Sequence, residues 1–418
     1  MSLTINGNYW GILAMFLQTA IRQQNRLFIE QNGKEPNEQE MADIKARALS
    51  SVRGTCQSDQ LKEQQAQSTL IINLNNSLRM MSDVAEYFVE NDIRRFNTVS
   101  ISGYHIDEAG SNAITQAALT LSNGLTYLEI FKERGLDPDE FLVNFSWFFS
   151  NGMSPSYAVI GRVCRRIWAI AMRDVYGLEA DSKSSRLRYH IQGSGRSLHA
   201  QDITYNDYRS LLQAMYALAD NANSLHTNSR DEALSLPTNE SSRLALRTQQ
   251  IITYESGLVD YPDPLGGSYA IETLTDSIEA EANAIINEVE NKGGAIAAIE
   301  SGWTQNEIAR SASEYQSSIE KKDKIIVGVN EFKTDEDDVN KTLSINEKAV
   351  ALQLKRLQDF KSSRNNELVG EKLKTLHKTA KGTSNLIPAI IECVRSRCTL
   401  GEISDQLRDV FGEYQSNF

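Results

Sequence analysis

Residues 190–232, HIQGSGRSLHAQDITYNDYRSLLQAMYALADNANSLHTNSRDE, carry the pattern that decides the fold. A strand-like run over residues 187–191 ends in polar and glycine residues at 192–195, and a helical pattern follows over 205–219. Residues 224–228 repeat the strand-like run and its polar end. This order is typical of a parallel β/α protein, in which reactive groups gather at the carboxyl ends of the strands.

The same alternation of strand and helix recurs along the preceding chain. Counted from the start, the strand-like runs end near Asn6, Gln57, Tyr104, Asn151, Gln192 and His226. A closed barrel of this type has eight strands, and we expect the missing units to lie in front of the first run, as in an N-terminally truncated barrel. The predicted fold is therefore α/β, a partial TIM-type (β/α) barrel with about six of the eight strands, followed by a helical C-terminal region.

Changes in pattern divide the rest of the chain. We assign residues 1–240 to the partial barrel and 241–332 to a helical extension that packs on it. An acidic linker is predicted over residues 333–343, and helices fill residues 344–418. Residues 324–329, just before the linker, are strand-like.

Composition excludes several classes of protein. Apolar residues make up 40% and charged residues 23% of the 418 residues, which is ordinary for a globular protein with a large core. The net charge of -12 argues against nonspecific binding to nucleic acid or anionic membranes. The apolar run at residues 10–17 is too short to span a bilayer, so we expect a cytoplasmic protein. The four scattered cysteines are expected to be reduced and structural.

Familiar catalytic motifs are missing from the sequence. It contains no phosphate-binding loop motif, no strand followed by GxGxxG, no HExxH and no GxSxG. His190 and His199 are possible metal ligands by residue type, but nothing has the spacing of a zinc protease site. No metal site is predicted.

Neutral hydrogen-bonding groups remain as the candidate site. They follow the predicted strands, with two carboxylates beside them: Gln57, Tyr104, His105, His190, Gln192, Ser224 and Asn228, and the acids Glu108 and Glu232. Amides and imidazoles with few paired acids suit a site that polarises a carbonyl and holds a reactive intermediate better than one that hydrolyses a bond. A purely structural role for each histidine is the alternative.

A basic cluster follows the fourth predicted strand. Arg162, Arg165, Arg166 and Arg173 lie on a helix predicted over residues 157–176. One interpretation is a solvated helix face paired with acids. The other is a phosphate-binding site.

At these same residues the chain resembles the adenosylcobalamin-dependent acyl-CoA mutases, the methylmalonyl-CoA mutase family, and within it especially the isobutyryl-CoA mutases, including the form fused to a G-protein chaperone. The matching segments are SLTING, GTCQSDQLKEQQAQST, SISGYHIDEAG, FFSNGMSPSYAVIGRVCRRIWA, YHIQGSGRSLHAQ, NSLHTNSRDEAL and DPLGGSY. The resemblance implies a barrel threaded by coenzyme A below a cobalamin domain, and a radical 1,2-rearrangement of the acyl group. Shielding a radical from water requires a dry interior with neutral donors.

The resemblance also implies roles for single residues. His105 would donate a hydrogen bond to the thioester carbonyl as a catalytic residue, together with Tyr104 and Gln57. The implied substrate-binding residues are Gln67, Arg162, His190, Gln192 and Ser224, with Arg162 at the coenzyme A phosphates. The implied cofactor-binding residues, facing the adenosyl ribose, are Glu108, Asn228 and Glu232.

One position bears on the choice of substrate. Methylmalonyl-CoA mutases carry an arginine for the second substrate carboxylate where this chain has Gln67. A buried arginine without an anion is unfavourable, whereas glutamine is not. The resemblance thus implies rearrangement of isobutyryl-CoA and n-butyryl-CoA, with methylmalonyl-CoA as the alternative substrate.

Two departures from the family pattern qualify this expectation. Gly193 replaces the usual threonine, and no DxHxxG cobalamin motif or G domain is present in the sequence. Adenosylcobalamin is therefore expected to come from a cobalamin-binding domain or subunit on another chain, with a G-protein chaperone and dimer formation as further expectations. A truncated, inactive homologue that acts as a binding or structural remnant is the alternative.

Overall fold

The computed structural model of the protein describes residues 5, 7–67, 69–334 and 345–415. Its strands are β1 Gly54–Thr55, β2 Phe96–Asn97, β3 Val99–Ser102, β4 Phe145–Asn151, β5 Tyr189–Gly193 and β6 Ser224–His226. β1 pairs with β2, and the other four pair in chain order, always in parallel. Because only Thr98 separates β2 from β3, the strands occupy five neighbouring positions.

These five positions confirm the predicted strands that end near Gln57, Tyr104, Asn151, Gln192 and His226. The first predicted strand lies outside the described residues, apart from Ile5, which is in no strand. Parallel neighbours require a crossover, and a helix lies in each of these connections. The fold is therefore the predicted α/β class, part of a TIM-type barrel.

Helices cover most of the remaining described chain. Up to β6 they are α1 Tyr9–Asn32, α2 Glu38–Ser51, α3 Gln60–Lys62, α4 Leu74–Glu90, α5 Tyr104–Glu108, α6 Ala113–Glu133, α7 Pro138–Phe141, α8 Ile160–Asp174 and α9 Asn206–Ala219. After β6 they are α10 Asn239–Glu255, α11 Tyr269–Asn291, α12 Ala295–Glu300, α13 Trp303–Glu320, α14 Glu347–Ser362, α15 Asn366–Ala380, α16 Ile387–Arg395 and α17 Leu400–Phe411. Within the described ranges, every helix falls short of the length and apolar character that a membrane span requires.

The strands alternate between a polar and an apolar face. Side chains facing the helices are apolar, and Trp147 of β4 packs edge-on against Trp168 of α8, with ring centroids 4.8 Å apart. The opposite face carries mainly serine, histidine and glutamine. Since side chains alternate along a strand, the register aligns these polar side chains in rows across the sheet. The sheet therefore combines an apolar outer face with a polar inner face, where a site can form.

Three expectations about local structure change. A helix predicted from Trp10 to about Gln24 is longer in the structure: α1 runs on to Asn32, and Gly33, with φ +64°, ends it. The expected polar tip around Tyr104 and His105 is the helix α5. Residues 324–329 form no strand, because the Asn330 side chain bonds the backbone of this segment and holds it as a loop.

The C-terminal helices share a core with the N-terminal ones. α16 and α17 bury apolar residues against α1, α16 also packs on α4, and α15 packs on α16 and α17. A buried carboxylate adds a polar link, since Asp83 of α4 accepts from the Leu386 N–H at 3.0 Å. The predicted boundaries at residues 240, 332 and 343 stay predictions, and most of the linker, residues 335–343, lies outside the described residues.

Candidate active site at the carboxyl ends of the strands

One row of side chains crosses the inner face of the sheet. Ser102, Phe148, His190 and Ser224 are consecutive register partners on β3, β4, β5 and β6. Register partners in a parallel sheet point to the same side. The sequence placed two of these residues, His190 and Ser224, in the candidate site, and the register brings them together.

His105 lies beside this row on the first turn of α5. Its Nδ1 is 2.7 Å from the Ser102 Oγ. Burial, together with the positive charge of Lys62, lowers the pKa of His105 to about 3. The imidazole is therefore neutral at pH 7, and when the serine donates to Nδ1 the ring proton lies on Nε2.

His190 has the same local arrangement as His105. Its Nδ1 lies 2.7 Å from the Ser224 Oγ, and its ring is 5.3 Å from that of Phe148. Burial lowers its pKa to about 4, assisted by His226. The inner face thus presents two neutral imidazoles, each bonded through Nδ1 to a serine.

Tyr104 packs next to the two histidines, because its ring contacts His105 directly and stacks on Phe148, which also contacts His190. Its ring stacks on Phe148 with centroids 5.1 Å apart and planes 15° apart, and it meets the His105 ring edge-on. Burial raises the pKa of Tyr104, and the charges of Glu108 and Glu232 raise it further. The phenol is thus a neutral hydrogen-bond donor beside the imidazoles.

The predicted cofactor carboxylates converge on Gly195. A Cβ atom built at Gly195 would lie 3.2 Å from the Glu108 Oε2 and 3.7 Å from the Glu232 Cγ. Glu108 accepts from the Ser194 hydroxyl at 2.6 Å and from the Arg196 N–H at 3.2 Å. Burial raises the pKa of Glu108 to about 7 in spite of these donors. Glu108 therefore exchanges a proton near neutral pH.

Asn228 holds the same loop from the other side. Its Nδ2 donates to the Gly193 carbonyl at 2.6 Å, and its Oδ1 is buried. Burial lowers the pKa of His226 overall, although the Asn228 side chain acts on that imidazole and raises its pKa in part. The amide oxygen is an acceptor that His226 or a ligand hydroxyl can use.

A steric contact explains why residue 193 is glycine and not the threonine of the family pattern. A Cβ atom there would come within 2.6 Å of the Gln213 Oε1, and Gln213 donates to the Ser194 carbonyl at 3.0 Å. The space that a threonine side chain would take is therefore filled by the Gln213 amide.

The other predicted residues are distributed around this centre. Gln192 lies on β5 in register with Ser150 and His226, on the inner face. Gln57 directly precedes the buried loop in which Ser58 donates to the Thr98 carbonyl at 2.6 Å. The loop after β1 is thereby joined to the path of β2 and β3.

Gln67 ends a π-helical turn, Glu63–Gln67, next to a buried lysine. The Lys62 Nζ donates to the Gln67 Oε1 at 2.8 Å and pairs with the Glu63 Oε1 at 2.6 Å. The Gln67 carbonyl is thus already bonded, which leaves its amide N–H groups for other partners.

Arg162 lies away from the inner face, in the first turn of α8. Its guanidinium pairs with Asp263 and, at 3.4 Å, with Glu272. Its charge is compensated by these acids. The phosphate-binding role stays a prediction, and this geometry favours the paired-helix interpretation instead.

Sequence reasoning missed two buried charges at the site. The Lys62 side chain is fully buried and its charge acts on His105. Asp59 accepts from the Ser102 N–H at 2.7 Å and from the Tyr127 hydroxyl, and burial raises its pKa to about 6. Both lie in the polar segment after β1, where alternating acids and bases resemble a solvated helix start, so no pattern distinguished them.

Comparison with known proteins defines the class. The family model described as methylmalonyl-CoA mutase matches residues 39–413. The chain therefore belongs to the methylmalonyl-CoA mutase family.

Particular relatives agree with this assignment. The whole chain is 44% identical to the fused isobutyryl-CoA mutases of Nocardia farcinica and Cupriavidus metallidurans, of which it covers 39% and 38%. It is 38% identical to human mitochondrial methylmalonyl-CoA mutase and covers 53% of that protein. The chain thus spans from about two fifths to about half of the length of these relatives.

Proposed function

We propose that this chain forms the acyl-CoA-binding part of an adenosylcobalamin-dependent acyl-CoA mutase, an isomerase that interconverts isobutyryl-CoA and n-butyryl-CoA. The observation that carries the proposal is the pair of neutral, serine-bonded imidazoles on the inner face, His105 and His190. His105 lies on the same short helix, α5, as Glu108, one of the two carboxylates next to Gly195. Such a layer suits a thioester that must be held and polarised but not hydrolysed.

The two histidines act as hydrogen-bond donors to the thioester carbonyl. A neutral imidazole with its proton on Nε2 donates without transferring charge, and burial strengthens that bond. Tyr104 adds a third neutral donor and, with Phe148, an aromatic wall that excludes water. Family resemblance assigns the carbonyl to His105, and the matched geometry of His190 supports a shared role.

The residues around Gly195 fit the adenosyl group. Glu108 and Glu232 offer carboxylate acceptors for ribose hydroxyls, and the buried Asn228 Oδ1 offers a third acceptor. When bound, adenosylcobalamin supplies the radical chemistry that abstracts hydrogen from the acyl group. The task of this chain is to orient the ribose and keep the acyl group dry.

The preference for a monocarboxylic acyl group rests on Gln67. An uncharged side chain whose carbonyl is held by Lys62 provides no cation for a second carboxylate. The Lys62 charge is itself paired with Glu63. Methylmalonyl-CoA, with its free carboxylate, is for this reason the less favoured substrate.

The proposal includes further protein regions. Because the relatives are longer than this chain, we propose that additional regions or chains bind cobalamin, and that a G-protein chaperone and dimer formation complete the assembly. For Arg162 to meet the coenzyme A phosphates, its guanidinium would have to exchange the carboxylates of Asp263 and Glu272 for phosphate.

The test is an assay of isobutyryl-CoA and n-butyryl-CoA interconversion with adenosylcobalamin, with and without the cobalamin-binding region of a relative as a second chain. His105→Ala and His190→Ala should each greatly reduce the rate, while His377→Ala, on α15, should leave it unchanged. Gln67→Arg should shift the preference towards methylmalonyl-CoA. If the folded protein gives no turnover in any combination, the enzyme proposal is wrong and the inactive binding remnant takes its place.

A further inference from the structure

A separate cavity of about 460 Å³ opens outside the row of imidazoles. The loops that follow α5, β4 and β5 form one wall, and α13 with residues 324–327 forms the other. Volumes of this size are typical of sites for small molecules. None of the residues assigned above to the thioester, adenosyl or phosphate groups lines it.

Three cationic side chains line this cavity: Arg196, Arg209 and Lys324. In the part of the chain that the structure describes, none of the three forms an ion pair. Arg196 donates to the backbone carbonyls of Asp107 and Ser111, and Arg209 donates to Asn206 and to the Val327 carbonyl.

The lining also carries two acidic side chains, Asp107 and Glu314. Asp107 accepts from the Tyr157 hydroxyl at 2.7 Å, and burial raises the pKa of Asp107 overall, although the charge of Arg196 lowers it in part. Glu314 pairs with Arg310 at 2.8 Å. Asp202 acts on Arg209 from outside the lining and raises the pKa of Arg209, but burial outweighs this and the pKa is lowered overall. The cavity therefore has a surplus of positive charge, although the chain as a whole has a net charge of -12.

Two of these cations are brought to the same aromatic ring. The Arg196 Cζ lies 5.3 Å and the Lys324 Nζ 4.6 Å from the centroid of Tyr315. Burial lowers the pKa of Lys324, and the charge of Arg196 lowers it further. Cations placed together without an acid repel each other, and a bound anion would remove that repulsion.

The rest of the lining is apolar. Ile114, Ile325 and Val327 lie on the wall, and the last two are 45% and 49% exposed, so the apolar surface reaches the mouth of the cavity. An inorganic anion would leave this surface in water. An anion with a short hydrocarbon body would cover it.

We propose that this cavity binds a small organic anion whose phosphate or carboxylate head meets Arg196, Arg209 and Lys324 and whose short apolar body lies on Ile325 and Val327. The site is distinct from the thioester and adenosyl positions, so it stands whether or not the chain is a mutase. The cations and the apolar residues of the lining together define the ligand class, and the binding experiment distinguishes a phosphate head group from a carboxylate one.

Binding is measured by titration calorimetry on the full chain, without coenzyme A or cobalamin. The probes are n-butyl phosphate, butyrate, inorganic phosphate and n-butanol. We expect saturable binding of n-butyl phosphate or butyrate, tighter than that of inorganic phosphate and of n-butanol. Comparison of the two butyl anions identifies the preferred head group.

Substitutions then locate the site. Lys324→Gln should weaken binding of the preferred anion about tenfold, because a half-buried charge-assisted contact is lost. The Lys324 ammonium group makes no hydrogen bond within the described residues, and Lys324→Gln keeps the backbone bonds of this residue, so we expect the fold to stay intact. Lys321→Gln, which removes the same charge outside the cavity, should leave binding unchanged, and Ile325→Glu should weaken it by placing a competing carboxylate at the mouth.

Three outcomes would overturn the proposal. They are no saturable binding of any anion at millimolar concentration, binding of n-butyl phosphate and butyrate no tighter than that of phosphate, and equal losses from Lys324→Gln and Lys321→Gln. None of them bears on mutase activity, which is assayed separately.

Discussion

The neutral state of His105 gives a quantitative prediction about pH. The imidazole is buried next to Lys62, and its pKa of about 3 lies well below the ordinary value of 6.5. Above the unfolded pKa such a histidine is neutral in both states and does not change the free energy of unfolding. As the pH falls below the unfolded pKa, only the unfolded histidine binds a proton, so the folded state loses stability. The wild-type protein should therefore lose stability on acidification through this residue, and His105→Gln should not.

The size of the effect is set mainly by the unfolded state. Between about pH 8 and about pH 5 the unfolded histidine takes up a proton, while the folded one, with its pKa of about 3, does not. The final pH lies about 1.5 units below the unfolded pKa of about 6.5, so protonation stabilises the unfolded state by about 2 kcal/mol. The value is insensitive to the folded pKa as long as that pKa stays below about 4.

The assay is urea unfolding followed by tryptophan fluorescence at about pH 8 and about pH 5. Wild type should lose about 2 kcal/mol more than His105→Gln, because shared contributions such as those of Glu108 cancel in the comparison. Tyr104→Phe, a neighbouring substitution without a group that titrates in this range, should change stability equally at both pH values. Equal pH dependence of wild type and His105→Gln would refute the buried, neutral imidazole.

Three further predictions concern packing and charge. Gly193→Thr should lower the unfolding free energy by about 1–3 kcal/mol, because the new side chain overlaps the Gln213 amide. The loss should be smaller in a Gln213→Ala background. Equal losses in both backgrounds, measured in a double-mutant cycle, would contradict the clash. Burial raises the pKa of Asp220 from 3.8 to about 7, so the unfolded carboxyl ionises first and wild type should lose stability as the pH rises from about 4 to about 7. Asp220→Asn should flatten this pH dependence in urea unfolding, and an unchanged profile would contradict the raised pKa. The hydrogen bond from Arg364 lowers the pKa of Glu402 to about 2, so the stabilisation by this ion pair is present above about pH 4.5 and is lost as the pH falls towards 2. Arg364→Gln should reduce the thermal midpoint at neutral pH but have little effect near pH 2. An equal reduction at both pH values would disprove the ion pair.

Much of the barrel could be read from local pattern. Five strand ends were predicted because short strand-like runs are each followed by glycine or polar residues and then by a helical pattern. The sequence also predicts a helix from Ala113 to Arg134 that ends at Gly135; α6 ends at Glu133, and Gly135 has φ +88°. α5 was missed because five residues are too few to show helical periodicity; its turn is closed by backbone bonds such as that from the Asp107 N–H to the Gly103 carbonyl.

The candidate site divides in the same way. His190 and Ser224 were chosen as separate strand-end residues, and the parallel register makes them partners. Arg162 was chosen because it lies in a basic cluster, but its acids, Asp263 and Glu272, come from a segment more than a hundred residues later. No local pattern reports an ion pair over that separation.

The sequence by itself determined the class of fold, the family and the kind of chemistry, because these depend on which residue types follow which strands. Only the tertiary structure decided how those residues behave. Burial makes His105 and His190 neutral and raises the pKa of Glu108, and the register sets which serine holds each imidazole. Burial and register are properties of the packed chain, since both arise from neighbours that are distant in sequence.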